Sequence, residues 1–246
     1  STIGYLGVRA LDSAEDTLRL FQDELGRTNL LGVDVETISL KDRRPIGLAI
    51  ATTPQDGFYF PVDSVYMPKA ISLLQGTTRT KIYHNALFDL EVLRPYQPDM
   101  TNIQDTAMLT RLVGWLPVKL EYLAWTLGMI APSFSERLDS KHTMLDLPEF
   151  EVATGCCLHA QATLAAWLEY NHLVNHEYLG VETRLIPLLL RMSARGIRLD
   201  QEVRGKLEVE LSEAVSYYES AASTLGFLPS SPKQVAYMLA KAGIYL

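Results

Sequence analysis

The chain of 246 residues is long enough for one large domain or two modest domains with a buried core. Its 48% hydrophobic and 21% charged residues are typical of a globular protein, and no apolar run approaches the ~20 residues of a membrane span. The net charge of −7 excludes a protein that grips duplex DNA by positive charge alone, although bound cations can invert the local field beside acidic residues. The two cysteines, Cys156 and Cys157, are adjacent, which indicates a reducing compartment rather than a disulfide framework.

The first 170 residues interleave short apolar strands with helices. A strand is expected over residues 3–8, and Asp12 or Ser13 can cap a helix that runs to about Leu25. Strands from Leu30, over 46–52 and over 58–62, separated by polar turns, predict an antiparallel meander. The remaining predicted segments are strands over 81–83 and 103–105, and helices over 68–74, 85–93, 106–113, 120–127 and 149–170.

Beyond this region the pattern is purely helical. We predict helices over 178–195, 200–225 and 232–242, with Gly196 ending the first and Pro232 at the first position of the last. Mixed strands and helices followed by helices alone indicate an α/β domain and then an all-helical segment. We expect the chain to be a piece of a longer protein.

The most informative stretch is the buried strand that ends in Asp34-Val35-Glu36. Residues i and i+2 of a strand point to the same face, so the two carboxylates are expected side by side. Such a pair repels unless a cation lies between the two groups, and hard oxygen ligands suit Mg²⁺ or Mn²⁺. A strand that simply ends in solvated charges explains the same pattern.

A second polar cluster, His84-Asn85-Ala86-Leu87-Phe88-Asp89, lies at a predicted strand-to-helix junction. Capping preferences alone would explain Asn and Asp at this place. Together, however, the strand ending in Asp-x-Glu-Thr, the meander and the later His-Asn-x-x-Phe-Asp resemble the 3′–5′ exonucleases of the DnaQ-like superfamily. The segment Gln104-Asp105-Thr106-Ala107-Met108-Leu109 resembles the segment that follows in those enzymes.

The C-terminal third resembles the entry into the polymerase domain of family A DNA polymerases, the bacterial DNA polymerase I type. The matching segments are Glu182 to Leu189, Gly196-Ile197-Arg198-Leu199-Asp200 and Ser231-Pro232-Lys233-Gln234-Val235. The resemblance implies a 3′–5′ exonuclease-like domain over 1–172, with an RNase H-like mixed sheet flanked by helices. It also implies that 173–246 is the truncated, helical, thumb-side start of a polymerase domain.

The resemblance also implies a site. Asp34, Glu36 and Asp89 would bind Mg²⁺ or Mn²⁺ in a two-metal site, or in one with a single ion, that hydrolyses the 3′-terminal phosphodiester of single-stranded DNA. The residues expected to contact the terminal nucleotide are Thr37, Leu40, Asn85 and Phe88, although core packing explains Phe88 equally well. The expected partners are the 3′ end of single-stranded DNA and the rest of the polymerase chain in cis, in the cytoplasm of a bacterium or a phage-infected cell.

The third motif of this family departs from the pattern. It is Tyr-x-x-x-Asp on a helix followed by a Thr-Leu pair, and the register of Thr163-Leu164 places Gly155 at the tyrosine and His159 at the aspartate. The subclass with a histidine five residues before the aspartate would need one at Thr154. The side chain that orients the attacking water and one metal ligand are therefore missing.

Three explanations of His159 stay open. It is a metal ligand, which would suit Mn²⁺ or Zn²⁺ better than Mg²⁺; or it is a polar leftover, which we favour; or the register is wrong and Glu149 or Glu151 completes the site. A zinc site of Cys156, Cys157 and His159 lacks a fourth ligand and the usual spacing, so helix packing explains the thiols better.

Two functions follow. The first is a working proofreading-type exonuclease module, weakened by the altered third motif; the second is an inactive exonuclease fold that serves the polymerase as a scaffold or DNA-binding module.

Overall fold

The computed structural model describes residues 13–75, 78–98, 101–134, 138 and 142–244. By its internal contacts the chain divides into a unit up to Ala194 and a unit from Arg195 onward. The strand predicted over 3–8 lies outside the described residues, and the predicted domain boundary after residue 172 stays a prediction.

A mixed five-stranded sheet forms the centre of the first unit, in the order β3-β2-β1-β4-β5. The pairs β1/β2 and β2/β3 are antiparallel, which confirms the predicted meander, whereas β1/β4 and β4/β5 are parallel. The first strand is therefore central and is paired on both sides. The strands are β1 (Leu30–Thr37), β2 (Pro45–Ala51), β3 (Gly57–Pro61), β4 (Thr80–Tyr83) and β5 (Ile103–Asp105).

Helices cover both faces of this sheet, and their bounds lie within about two residues of the predicted ones. The first begins at the predicted cap, since the Ser13 Oγ accepts a hydrogen bond from the Asp16 N–H (3.0 Å). The helices of the first unit are α1 (Ala14–Leu25), α2 (Tyr66–Leu74), α3 (Ala86–Leu93), α4 (Thr106–Val113), α5 (Leu120–Thr126), α6 (Glu149–Tyr170) and α7 (His176–Arg195). The observed architecture is a mixed sheet flanked by helices, as predicted.

The alternation of side chains along β1 separates the core from the site. Leu31, Val33 and Val35 point into one buried cluster together with Phe21 of α1 and Met67 of α2. Residues at the even positions point to the opposite face, where α6 packs. The period of two therefore sends Asp34 and Glu36 toward α6.

The second unit contains α8 (Gln201–Thr224) and α9 (Pro232–Lys241). Asp200 caps α8 by accepting hydrogen bonds from the Glu202 and Val203 N–H groups, and Ser231 caps α9 directly before Pro232. Gly196 has φ +67°, a left-handed conformation that ends the preceding helix as predicted. The all-helical character of this region is thus confirmed.

Candidate active site

The paired carboxylates of β1 form the base of the site. Asp34 and Glu36 are two residues apart on one strand, and their side chains are only 17% and 15% exposed. Burial raises the pKa of Glu36, and the negative charge of Asp34 raises it further, while His159 opposes both effects. Two carboxylates held this closely need a positive group nearby.

Helix α6 approaches β1 unusually closely at Gly32. A Cβ at this position would collide with the carbonyl oxygen of Ala160 and would lie 2.9 Å from the Leu164 Cβ. Glycine therefore allows the helix axis to lie close to the strand, and this distance decides which α6 side chains reach the carboxylates. Those side chains are Cys156 and His159.

His159 contacts both carboxylates. Its Nδ1 lies 3.2 Å from Glu36 Oε1 and 3.6 Å from Asp34 Oδ2, and its Nε2 lies 2.7 Å from the carbonyl oxygen of Pro132. Burial by itself lowers the pKa of His159, but hydrogen bonds and charge from Asp34 and Glu36 outweigh burial and raise this pKa well above its usual range. The ring thus occupies the gap between the acidic groups.

Cys156 orients Asp34 from the same helix. Its Sγ lies 3.3 Å from Asp34 Oδ2, within hydrogen-bond range for a thiol donor, and burial raises the pKa of this thiol well above its usual range. The thiol is therefore a neutral donor. Its neighbour Cys157 is buried in the core beneath the sheet, as expected for a packing residue.

Asp89 stands beside this pair from α3. Its Oδ1 accepts a hydrogen bond from the Val35 N–H (3.1 Å), which fixes it against the strand between the two carboxylates. Burial, and then the charges of Asp34 and Asp105, raise its pKa well above its usual range. The second predicted cluster is thus adjacent to the first.

Asp105 is a residue whose part in the site the sequence did not reveal. Its carboxylate accepts hydrogen bonds from the N–H groups of Asn85 (3.1 Å) and Ala86 (2.8 Å), at the start of α3. The same carboxylate caps α4 through the N–H groups of Ala107 (2.8 Å) and Met108 (3.3 Å). One side chain therefore positions two helices, one of which carries Asp89. The Asp-Thr-Ala sequence indicates a cap of α4 but not the link to α3.

The predicted substrate residues surround the site with different exposures. Leu40 is 83% exposed, whereas Thr37 is buried and donates its hydroxyl hydrogen to the Ser39 carbonyl (3.2 Å). Asn85 is exposed and has a left-handed backbone (φ 72°) at the start of α3. Phe88 is half-buried against the core, with the Arg43 guanidinium 5.4 Å from its ring centre. Their contact with a nucleotide stays a prediction.

The space beside Gly155, the position of the motif tyrosine, is occupied by residues from the segment between α5 and α6. A Cβ on Gly155 would collide with the ring of Phe134 and would lie 3.3 Å from Pro132 Cγ. The Phe134 ring also packs edge-on against His159, with 5.9 Å between ring centroids. The space next to Gly155, at the tyrosine position, thus holds an aromatic ring from elsewhere in the chain.

One group of potential ligands has the compactness of a metal site within the part of the chain that the structure describes. Asp34, Glu36 and His159 each offer one ligand atom, and these atoms all lie within 4.8 Å of one another. The group contains neither of the α6 glutamates, Glu149 and Glu151, and no cysteine.

No helix in the described segments is both long and apolar enough to cross a membrane.

Structural comparison defines the class of the fold. NrnC from Brucella melitensis, solved with bound Mg²⁺, has a TM-score of 0.51 and 19% identity over 69% of this chain and 87% of that chain. RNase D from Trypanosoma brucei, solved with RNA U12, has a TM-score of 0.54 and 16% identity over 73% of this chain and 68% of that chain. The fold is that of the DnaQ-like 3′–5′ exonucleases.

A match to a protein-family model assigns the chain to one family within this fold. Residues 11–170 match the 3′–5′ exonuclease family of DNA polymerase A. The chain therefore belongs to the 3′–5′ exonuclease domains of family A DNA polymerases, the DNA polymerase I type.

Individual relatives agree with this assignment. The chain is 25% identical to DNA polymerase I of Rhizobium leguminosarum over 70% of its length, and 24% identical to DNA polymerase DpoZ of Vibrio phage phiVC8 over 86%. It spans only 18% and 40% of these relatives. The structure of the POL domain of Pol1 from M. smegmatis, in complex with a DNA primer-template and dNTP, has a TM-score of 0.58 and 20% identity over 89% of this chain and 38% of that chain.

Proposed function

We propose that this chain removes nucleotides from the 3′ end of single-stranded DNA as the proofreading module of a longer DNA polymerase. The observation that carries the proposal is the convergence of Asp34, Glu36 and Asp89 at one end of β1, since Asp89 is hydrogen-bonded to the residue between the other two. Three acidic groups held together in a partly buried place repel one another, and a bound divalent cation would offset part of this free-energy cost.

The donor set fits a divalent cation. Asp34 and Glu36 supply hard oxygen ligands, and Asp89 supplies a third carboxylate beside them, which is the chemistry that Mg²⁺ and Mn²⁺ prefer. When bound, such a cation would stabilise negative charge on the scissile phosphodiester and lower the pKa of water. We propose that the site binds Mg²⁺ or Mn²⁺, either as one ion or as a pair of ions.

The protein's own residues orient the reaction. The Cys156 thiol holds one oxygen of Asp34, and the Val35 N–H holds one oxygen of Asp89, so both carboxylates are fixed before substrate arrives. The exposed Leu40 and the Phe88 ring are apolar surfaces on which a terminal base can pack without regard to its identity. We further propose that residues 173–246 begin the polymerase domain, and that the protein works in the cytoplasm of a bacterium or a phage-infected cell.

The test is release of mononucleotides from a 3′-labelled single strand with Mg²⁺ and, separately, with Mn²⁺. Release that disappears in Asp34→Asn but persists in the matched surface variant Asp63→Asn supports the proposal. An RNA strand of the same sequence is the second substrate, and faster release from RNA would overturn the assignment to DNA.

The altered third motif favours the second candidate function. With a glycine at the tyrosine position, no hydroxyl on α6 is available at that place to orient water. If neither metal supports release above the Asp34→Asn background, the domain is a scaffold or strand-binding module of the polymerase. In that case a fluorescent single strand should still bind.

A further inference from the structure

The two ring nitrogens of His159 have different partners. A carbonyl oxygen only accepts hydrogen bonds, so the contact of 2.7 Å with Pro132 requires the hydrogen on Nε2. In the ion-free protein the ring also carries a hydrogen on Nδ1, which it directs toward Glu36 and Asp34, and a cation bound between these carboxylates would displace that hydrogen and take the lone pair of Nδ1. A histidine whose second nitrogen donates to a backbone carbonyl is the arrangement that orients metal-binding imidazoles.

The ring is also held from the side. Phe134 packs edge-on against it and fills the space beside Gly155, so His159 lies between an aromatic ring and the two carboxylates. A ring fixed by a hydrogen bond at one end and by packing on a face loses little rotational freedom when a ligand binds. Pro132 and Phe134 lie two residues apart in the segment between α5 and α6, and together they set the orientation of Nδ1.

The distances suit one ion. Ligand atoms about 2.0–2.3 Å from a common ion lie at most about 4.5 Å apart, and the three donors of this group already lie within 4.8 Å of one another without an ion. Two carboxylate oxygens and one imidazole nitrogen are a mixed donor set. Mg²⁺ prefers oxygen ligands alone, whereas imidazole suits first-row transition ions.

We propose that Asp34, Glu36 and His159 form a single-ion centre with two oxygen ligands and one nitrogen ligand, which selects Mn²⁺ or Co²⁺ over Mg²⁺, and that Pro132 and Phe134 are its positioning residues. The inference deepens the proposed function, because it rests on the same two carboxylates. It changes the explanation of the third motif, since the histidine at the aspartate position becomes a ligand of different selectivity and not a polar leftover.

The first experiment measures binding and not activity. The whole chain is titrated with Mn²⁺ by electron paramagnetic resonance and with Mg²⁺ and Co²⁺ by calorimetry, for the wild type, His159→Ala and the exposed control His172→Ala. We expect Mn²⁺ to bind the wild type at least about tenfold more tightly than Mg²⁺, and His159→Ala to lose at least about tenfold in Mn²⁺ affinity. Mg²⁺ affinity should change by less than about twofold in either variant. Equal Mn²⁺ affinity in His159→Ala and wild type would overturn the proposal.

A spectroscopic measurement on the wild type needs no variant and so does not depend on a variant's folding. Pulsed electron paramagnetic resonance of the Mn²⁺-bound protein should show coupling to one directly coordinated ¹⁴N nucleus. Bound Mn²⁺ without this coupling would rule out Nδ1 as a ligand.

The positioning residues have their own readout. Phe134→Ala should lower the Mn²⁺ affinity and leave the Mg²⁺ affinity unchanged, whereas Phe134→Leu, which keeps an apolar side chain and needs no new space beside Gly155, should preserve both. A purely structural role would lower both affinities together, and that result would contradict the positioning role.

The outcomes separate the two proposals. Nitrogen-coordinated Mn²⁺ without nucleotide release would leave this centre in place and refute the exonuclease function. Nucleotide release that depends on Asp34, without nitrogen coordination of Mn²⁺, would support the exonuclease function and refute the centre that includes His159.

Discussion

Replacing Gly32 with alanine tests how the site is assembled. The new Cβ would lie 2.9 Å from the Leu164 Cβ and would overlap the Ala160 carbonyl oxygen. Since carbon atoms pack at about 3.5–4.0 Å, α6 must move away from β1 by about 0.6–1 Å. Overpacking of this kind costs about 1–3 kcal/mol, which for a unit of this size lowers Tm by about 2–12 °C.

The same displacement separates the two halves of the site. The Cys156–Asp34 and His159–Glu36 contacts, now 3.3 and 3.2 Å, would lengthen beyond hydrogen-bond range. A misplacement of about 1 Å can reduce a reaction rate by about a hundredfold. We therefore expect Gly32→Ala to lose about two orders of magnitude in nucleotide release, and to lose Mn²⁺ affinity in parallel.

Two matched variants isolate the effect. A Cβ on Gly57 would lie 3.1 Å from the Cys157 Cβ of the same helix, a contact that a shift of a few tenths of an ångström relieves, so Gly57→Ala should cost less than about 1 kcal/mol and keep the activity. Gly180 of α7 has open space around it, and Gly180→Ala should stabilise the protein by about 0.5–1 kcal/mol. Thermal unfolding and the release assay measure all three. A Gly32→Ala protein with the wild-type Tm and rate would refute the reasoning.

Three further predictions concern the residues around the carboxylates. Burial and the charges of Asp34 and Asp105 raise the pKa of Asp89, so its protonated form contributes stability that is present below pH 3.8 and is lost as the pH rises through the folded-state pKa. In denaturant titrations, metal-free Asp89→Asn should therefore be more stable than wild type at pH 8 but not at pH 4. His159→Asp should tighten Mg²⁺ binding and abolish the preference for Mn²⁺ in calorimetric titrations; an unchanged preference would show that the ligand at 159 does not set it. Gly155→Ala should destabilise the protein by about 1–3 kcal/mol, and the same change in a Phe134→Ala background should be neutral or stabilising, so additive effects in the double-mutant cycle would contradict the packing account.

The sequence predicts the carboxylate pair well because the relevant physics is local. The period of two along β1 places Asp34 and Glu36 on one face whatever the rest of the chain does. The cap at Ser13 is equally local, and Asp12 or Ser13 was expected there from the residue type and the following apolar pattern. Counting back from Thr163-Leu164 also placed His159 at the site, because α6 is a continuous helix.

Contacts that join distant segments could not be predicted in this way. The reach of Asp105 to the start of α3 depends on the parallel pairing of β4 with β5, and one carboxylate in the sequence does not show that it serves two helices. The shift in strand register between Glu36 and Thr37 is likewise visible only in the pairing of β1 with β2. Pro132 and Phe134 lie in a segment without periodicity, so nothing in the sequence pattern linked this loop to the third motif.

Gly155 and His159, the two α6 residues that depart from the family motif, both contact the segment that contains Pro132 and Phe134. The side-chain space at Gly155 is taken by Phe134, and the nitrogen of His159 that faces away from the carboxylates donates to the Pro132 carbonyl. Asp34 and Glu36 remain partly buried and adjacent, which is unfavourable without a positive group, and the imidazole stands where that group is needed. Because a site under no constraint has no physical reason to retain two facing carboxylates, we infer that the third motif has been rebuilt around a nitrogen donor rather than lost.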